Sequence, residues 1–574
     1  MQERIKGSEV ALWVSIPLFL LICLITIQCD QKGSGLNLPK KVDFNYDVKP
    51  ILVQNCYLCH GPDPSSRKGE LRLDTYEGAT ALRENGKAIE PGSPGRSELI
   101  KRITHEDPSM MMPPPESNLV LSEYDIAVPT KWIDQGAEWK PHWSFIQPEA
   151  TKPKAFDKTV SANEIDDYII EKLENKGLEL APRAEKNTLI RRVSYLLTGL
   201  PPTPEMVSKF ESDESPDAYE KMVDYYLNSP GFGERWARHW MDLVRYAETK
   251  GHEFDYEVAG TWKYRDYLIR AFNEDVPYDQ LVREHIAGDL LDTIRWNKEN
   301  GINESQIGTA FYAMGEGTHS PVDIRKDEAD RIDNMIDVTT KTFQALTVSC
   351  ARCHDHKFDP IPTADYYALY GVMESSRFTP KSSQVTYEKL QNIEKLNQIK
   401  KDIKALVAKT WKEELTPDML ALGKTSSETS NINIIGDFRG HDLDGWKSDG
   451  FAFGKASTLG EVLFDAKGET VLGLDEGKAS SKYFSTGIFG VLRSPNFTIT
   501  NDFIGIRARG MKASMRIIID NFQLIRNPIY GGLEKKVNSE KWEDVVFDLS
   551  AWKGHKAYIE IYPGANHGGM VDYR

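Results

Sequence analysis

Two pentapeptides constrain this chain more than any other feature: Cys56-Tyr57-Leu58-Cys59-His60 and Cys350-Ala351-Arg352-Cys353-His354. Each sets two thiols three positions apart and an imidazole directly after the second, which is the spacing that covalent attachment of haem c requires. The thiols add across the two porphyrin vinyl groups, and the histidine coordinates the iron. With six cysteines and twelve histidines in 574 residues, chance would produce such a string on the order of 0.001 times. Two are present, so two covalent haem c groups are expected, held by Cys56, Cys59, Cys350 and Cys353, with His60 and His354 as proximal iron ligands. The competing readings are a zinc site, with the same four cysteines in one tetrahedral cluster or each pair recruiting histidines, and thioredoxin-like redox chemistry. The immediate histidines and the missing βαβ pattern weigh against the second.

The other two cysteines, Cys23 and Cys29, lie in the N-terminal segment, so none is left for structural disulfides. That segment carries Arg4 and Lys6 and then an uncharged run from Val10 to Gln28, the pattern of an export signal. Thr26-Ile27-Gln28-Cys29-Asp30 resembles a lipoprotein signal with Cys29 as the lipidated residue, although Gln28 replaces the usual small residue. An uncleaved anchor helix is the alternative, the run being just long enough to span a bilayer. Either reading puts the rest of the chain in an extracytoplasmic space, the periplasm or the cell surface, tethered to membrane. Haem is attached to c-type apoproteins there, so the two inferences agree.

At this length several cores are needed, and the pattern along the chain divides it. Residues 1–29 are the signal or anchor and 30–42 a linker. Residues 43–140 read as a small helical, cytochrome c-like domain, opened by Phe44, Val48, Ile51 and Leu52 at helical spacing and closed by an amphipathic helix over 122–136, which Pro129 should kink or delay. Residues 160–377 read as a second helical domain containing the second string. One helix face is expected to carry Ile165, Tyr168, Ile169 and Leu173, and another Leu189, Val193, Leu196 and Leu197; further helices are expected over 219–227, 232–248 and 262–273. Residues 385–415 suit a coiled-coil or helical-hairpin spacer. Residues 431–574 alternate in short runs such as 513–520 and 557–561, which argues for a β-sandwich. The fold class is therefore multidomain and mainly α, followed by a helical spacer and an all-β sandwich. The stop at Arg574 straight after the last expected strand suits a fragment of a longer protein.

The sixth ligand tunes a haem's potential, a thioether raising it and a second imidazole lowering it. For the first haem Met110, Met111 and Met112 are available, and Met112 is favoured because the following Pro113-Pro114-Pro115 makes a rigid presenting loop. For the second, His356, His319, His239, Met314 and Met335 stand as alternatives that sequence does not separate. Arg191, Arg192, Arg235, Arg238, Arg245, Arg265 and Arg352 are available for haem propionates. The net charge of −15 and the lack of any basic run exclude nucleic acid as a partner.

Several strings together resemble the large planctomycete-type cytochrome c proteins: Cys56 to Pro62, Met112-Pro113-Pro114-Pro115, Trp132 to Ala137, Leu197 to Thr203, Glu234 to Asp242, and Cys350 through Pro362. The resemblance implies an N-terminal cytochrome domain, a helical domain with a second haem string, a carbohydrate-binding-like sandwich, and a further C-terminal domain that is missing here. On that analogy Trp446 or Tyr562 is a candidate for stacking on a glycan, against the plainer reading of aromatic core.

The expected function is electron transfer through covalent haem iron to an unidentified redox partner, linked to extracytoplasmic polysaccharide metabolism. A haem enzyme of peroxidase type with an open second haem and a glycan-binding surface protein are the alternatives. Asp242, Glu248, Asp355 and Asp359 are acid/base candidates, but their spacing assigns none of them a catalytic role.

Overall fold

The first ordered turn is set by Asp43, whose carboxylate accepts hydrogen bonds from the Asn45 and Tyr46 amides at 2.8 and 3.2 Å and caps the turn Phe44–Val48. Helix α1 (Lys49–Asn55) follows, then α2 (Tyr57–His60), α3 (Glu98–Ile103) and α4 (Glu123–Asp134). The computed structural model describes residues 36–563, apart from 150–152, 157–160, 253–254, 259, 319–320, 380–386, 415–432, 485–487, 524 and 526–529 and the side chains of 387–390. By its contacts the chain falls into two units: residues up to Glu171 with Cys350–Asp365, and Lys172–Ser349 with the remainder from Tyr366.

In the first unit, Phe44, Val48, Ile51 and Leu52 are buried as their spacing predicts, together with Tyr57, Leu73, Val128, Trp132 and Ile133. Phe44 meets Trp132 and Trp139 at ring distances of 5.5 and 4.4 Å, which joins the start of the domain to α4. Pro129 does not delay α4, which begins at Glu123 on a Ser122–Asp125 capping box and runs through the proline. A proline inside a helix costs about 3 kcal/mol. Burial of Val128, Trp132 and Ile133 contributes roughly 1.5–3 kcal/mol for each side chain, which outweighs that cost.

In the second unit, α5 (Lys186–Thr198), α6 (Pro204–Ser212) and α7 (Ala218–Leu227) share a core of Ile190, Val193, Met206, Phe210, Met222 and Tyr226. Of the expected face of α5, Val193 is buried and Leu189 and Leu197 pack against the same core, while Leu196 is exposed and Ile190 takes a buried place, because α6 and α7 cover the Ile190–Val193 side. Similarly, in the helix Glu164–Glu174, Ile170 is buried and the expected Ile165, Tyr168 and Ile169 are exposed.

Helix α8 (Pro230–Leu243) packs on α9 (Trp262–Asn273) at Gly233, where a Cβ would lie 2.3 Å from the Ile269 carbonyl oxygen. The expected helix over 232–248 ends at Leu243, and Arg245 takes a positive φ of 52°. Helix α10 (Tyr278–Ala287) carries His285 into the same core. Its Nδ1 donates to the Leu281 carbonyl at 2.7 Å and its Nε2 accepts from Trp240 Nε1 at 3.1 Å and lies 2.7 Å from the Tyr264 hydroxyl. Burial holds this imidazole neutral, pushing its pKa down to about 4.

Helix α11 (Ile324–Gln344) starts at an Asp323 cap and inserts Ile324 into the core of the β region. Helix α12 (Tyr387–Glu414) is one continuous helix whose Lys400 and Lys404 pair with Glu461 at 3.1 and 2.9 Å, while Leu396, Ile399, Ile403 and Leu406 are exposed.

The C-terminal region is all-β. Strands β1 (Lys447–Gly450), β2 (Gly490–Arg493), β3 (Phe497–Thr498), β4 (Phe503–Ile519), β5 (Glu534–Asp548) and β6 (Lys556–Tyr562) form one antiparallel sheet in the order β5-β4-β6-β2-β1, with β3 also on β6. The strands 462–464 and 471–474 make a separate ribbon. Met515 to Ile519 on β4 are all buried, so both faces of the sheet are covered there.

Candidate functional site

The first string is built by one helical turn. Cys56 caps α1 through its amide bond to the Leu52 carbonyl at 2.8 Å, and the His60 amide returns to the Cys56 carbonyl at 2.9 Å. This puts both thiols and the imidazole on one short stretch, anchored by Tyr57, which is 2% exposed. Gly61 lets the chain leave that turn, since a Cβ would sit 2.3 Å from the Tyr57 carbonyl oxygen. The loop beyond is tied back by Lys68 N to the Cys59 carbonyl and Leu73 N to the His60 carbonyl, both at 2.8 Å.

Burial, with a smaller contribution from neighbouring Cys59, pushes the Cys56 thiol up to about 12. The His60 imidazole is held below its ordinary range, first by burial and then by the Arg83 charge, against a backbone hydrogen bond at Lys68. A neutral imidazole is the form that ligates iron. His60 Nδ1 is buried and has no hydrogen-bond partner among the described residues; which ring nitrogen takes that position depends on the ring flip.

The second string has a different setting. It begins on the 3-10 turn Val348–Arg352 and continues into bends; Ala351 is fully buried, while Cys350, Cys353 and His354 are exposed. His354 Nδ1 lies 2.8 Å from the Asp355 carbonyl oxygen. The following residues fold onto themselves: the Asp355 carboxylate accepts from Thr363 N at 2.9 Å, and buried His356 accepts from the Phe358 and Asp359 amides at 3.2 and 2.9 Å. His356 Nδ1 is thus occupied in shaping the turn. Asp359 reaches His142, with Oδ1 2.8 Å from Nε2, and His142 Nδ1 lies 2.7 Å from Ser144 Oγ.

Cys350–Asp365 belongs to the same unit as the first string, whereas the sequence pattern groups it with 160–377. Its charges act on the first domain: Asp359 on Lys49, Asp355 on Arg72 and His354 on Asp63. Sequence reading missed His142 and Lys49, because the His142–Asp359 contact spans 217 positions and no periodicity announces it.

Met112 hangs from the end of α3, its amide donating to the Arg102 carbonyl at 3.0 Å, and is 37% exposed. The Met110 sulfur is 3.6 Å from the Arg102 guanidinium. Of the candidates for the second haem, His239 is exposed on α8 beside Trp236, and Met314 and Met335 are buried in the second unit. His319 and Cys29 lie outside the described residues. No group of three or more His, Cys, Asp or Glu is gathered to hold a metal ion among the described residues, so the four cysteines do not form a tetrahedral cluster. No helix among them is long and apolar enough to cross a membrane.

Trp446 is in the β core, its indole donating to the Ile435 carbonyl at 3.2 Å. Tyr562 bonds Glu560 at 2.7 Å and lies under Arg516. Trp446 follows the plainer aromatic-core reading, whereas Tyr562 is half-buried and lies outside that core cluster.

Two family models match the chain: planctomycete cytochrome C (PSCyt1) over residues 56–116, and PSCyt2, a protein of unknown function (DUF1549), over residues 164–378. Both matches are to planctomycete-type cytochrome c proteins, a family that implies covalent haem c. Among curated proteins it is similar to hydrazine synthase subunit alpha of Kuenenia stuttgartiensis, 28% identical over 137 residues, covering 19% of this chain and 17% of that one. The chain thus aligns with under a fifth of that relative's length. No solved structure matches. The first string fits haem c on its own evidence, through the orphaned imidazole nitrogen, the Cys56 thiol kept neutral and the glycine that frees the turn.

Proposed function

We propose that this planctomycete-type cytochrome is an exported, membrane-tethered protein that carries two covalent haems and passes electrons between them. The observation that carries the reading is that Cys350–Asp365 and the first string lie in one compact unit, linked by the His142–Asp359 contact. Electron transfer needs two redox centres close together and protected from large rearrangement, and a shared core supports both conditions.

Cys56 and Cys59 would anchor one porphyrin and Cys350 and Cys353 the other, with His60 and His354 as proximal ligands and Met112 as sixth ligand of the first. Bound haem c supplies a one-electron iron couple whose potential depends on axial ligands, burial and nearby charge. The chain's own part is to hold His60 neutral and fixed, exclude water at Cys56, and set Asp355 and Asp359 beside the second string. Lipidation at Cys29 would provide the tether and an extracytoplasmic redox protein the exchange partner. Residues 431–574 would form a sandwich carried alongside.

The exposure of Cys350, Cys353 and His354 favours a second reading, a haem enzyme with an open second iron. Protein exported with cytochrome c maturation machinery is expected to gain two haem masses and give two haems per chain in a pyridine haemochrome assay. One haem or none would overturn the two-haem proposal. A fully low-spin spectrum supports electron transfer, and a high-spin component that binds cyanide supports the second reading.

A further inference from the structure

The second unit contains a cavity of about 1120 Å³, at or above the size of ordinary small-molecule sites. It lies where the α8–α9 connection, the segment 312–318, helix α11 and the residues after β4 meet. Two cations are built into its wall. The Arg245 guanidinium donates to the Phe311 carbonyl at 3.0 Å and contacts the Met314 carbonyl, and its buried Nε has no partner among the described residues. The Lys250 ammonium donates to the Ala313 carbonyl.

Neither cation has a carboxylate within ion-pair distance among the described residues; Asp337 acts on Arg245 from farther away and does not offset its burial. Burying unpaired charge costs several kcal/mol, and here the cost is compounded because Arg245 and Arg331 raise the positive potential at Lys250. Burial and those two charges push the Lys250 amine down to about 8.

Backbone geometry commits the fold to this arrangement. Arg245 is held at φ 52°, and Gly315 at φ +133°, where a Cβ would meet Asn334 Oδ1 at 3.0 Å and Arg245 Cζ at 3.2 Å. The carboxylates around the cavity do not cancel the cations. Glu257, Glu316 and Asp323 are exposed, where water and salt screen them. Asp330 is paired with Lys326 at 2.5 Å, and burial pushes the Asp327 carboxyl up toward its neutral form. Rings from Tyr312, Phe378 and Phe522 complete the lining.

We propose that this cavity binds an organic carboxylate with a ring-sized body, its charge taken by Arg245, Lys250 and Arg331 and its body by the aromatic side chains. A carboxylate supplies the missing counter-charge, and the rings offer apolar surface that a bare inorganic anion would not use.

The test is calorimetric titration of the haem-loaded full chain with benzoate and with neutral, isosteric benzamide, in the parent and in Lys250→Gln and Arg331→Gln. Benzoate is expected to bind, benzamide to bind at least about tenfold more weakly, and each folded variant to lose benzoate affinity by about tenfold or more, the scale of one lost charge-assisted bond. Should Lys250→Gln fail to fold, because Lys250 also ties down Ala313, Arg331→Gln carries the test. No benzoate binding, equal binding of benzamide, or unchanged affinity in the folded variants overturns the proposal.

Discussion

The two Cys-x-x-Cys-His strings are nearly the same in sequence and differ in almost everything around them. The first is on a helical turn with half-buried thiols, a half-buried imidazole whose Nδ1 is shut off from solvent, and a glycine under steric compulsion. The second is on a 3-10 turn whose two thiols and imidazole are exposed, and only Ala351 is fully buried. The motif therefore sets spacing, while the environment that tunes reactivity and potential comes from the surrounding fold.

The sharpest way to break this comparison is thiol reactivity in the haem-free, reduced chain. Raising Cys56 from 9.0 to about 12 lowers its thiolate fraction by roughly 10³-fold. Iodoacetamide at pH 8, followed by peptide mass spectrometry, should label Cys350 and Cys353 long before Cys56. Equal rates would mean that the strings share one environment after all.

Steric demand gives a smaller contrast. Gly61→Ala should destabilise the first unit by about 1–3 kcal/mol, as overpacking does, whereas Ala351→Gly should cost the second string about 1 kcal/mol or less. Denaturant unfolding of the haem-free chain, followed by proteolytic susceptibility of residues 43–140, would rank them, and a harmless Gly61→Ala would show that the turn can relax.

The pH dependence is the mildest test. Because the folded-state His60 pKa is lowered, the unfolded chain binds the proton first as pH falls below about 6.5. Stability in the haem-free chain is then full above that value and declines as pH drops, by at most about 1.4 kcal/mol per pH unit. His60→Ala should flatten this component of the slope, as measured by melting temperature across pH 7 to 5. An unchanged slope would show that burial of His60 does not act on stability.

Much of the local structure is legible in the residues. The helix over 262–273 follows directly from apolar spacing, and α5 stops where Gly199 takes a positive φ before Pro201-Pro202. Ser122 and Asp125 announce the start of α4, and the delay that Pro129 suggests is absent because burial of Trp132 and its neighbours offsets the proline. Faces were less legible than helices. Leu196 and Ile165 suit a buried stripe as well as Ile190 and Ile170 do, and only the packing of neighbouring elements selects between them. Likewise His239 attracted attention through its charged, aromatic surroundings, but the histidine buried among aromatic rings is His285.

Taken alone, the residues determine what depends on near neighbours along the chain: the two Cys-x-x-Cys-His strings, the α-then-β order and most helix ends, since hydrogen bonds and caps act within a turn or two. Tertiary structure decided which string is the less exposed, that Cys350–Asp365 joins the N-terminal unit through His142, and that Arg245, Lys250 and Arg331 converge on one cavity. Those outcomes depend on desolvation and on contacts between residues far apart in sequence, which exist only once the chain has closed on itself.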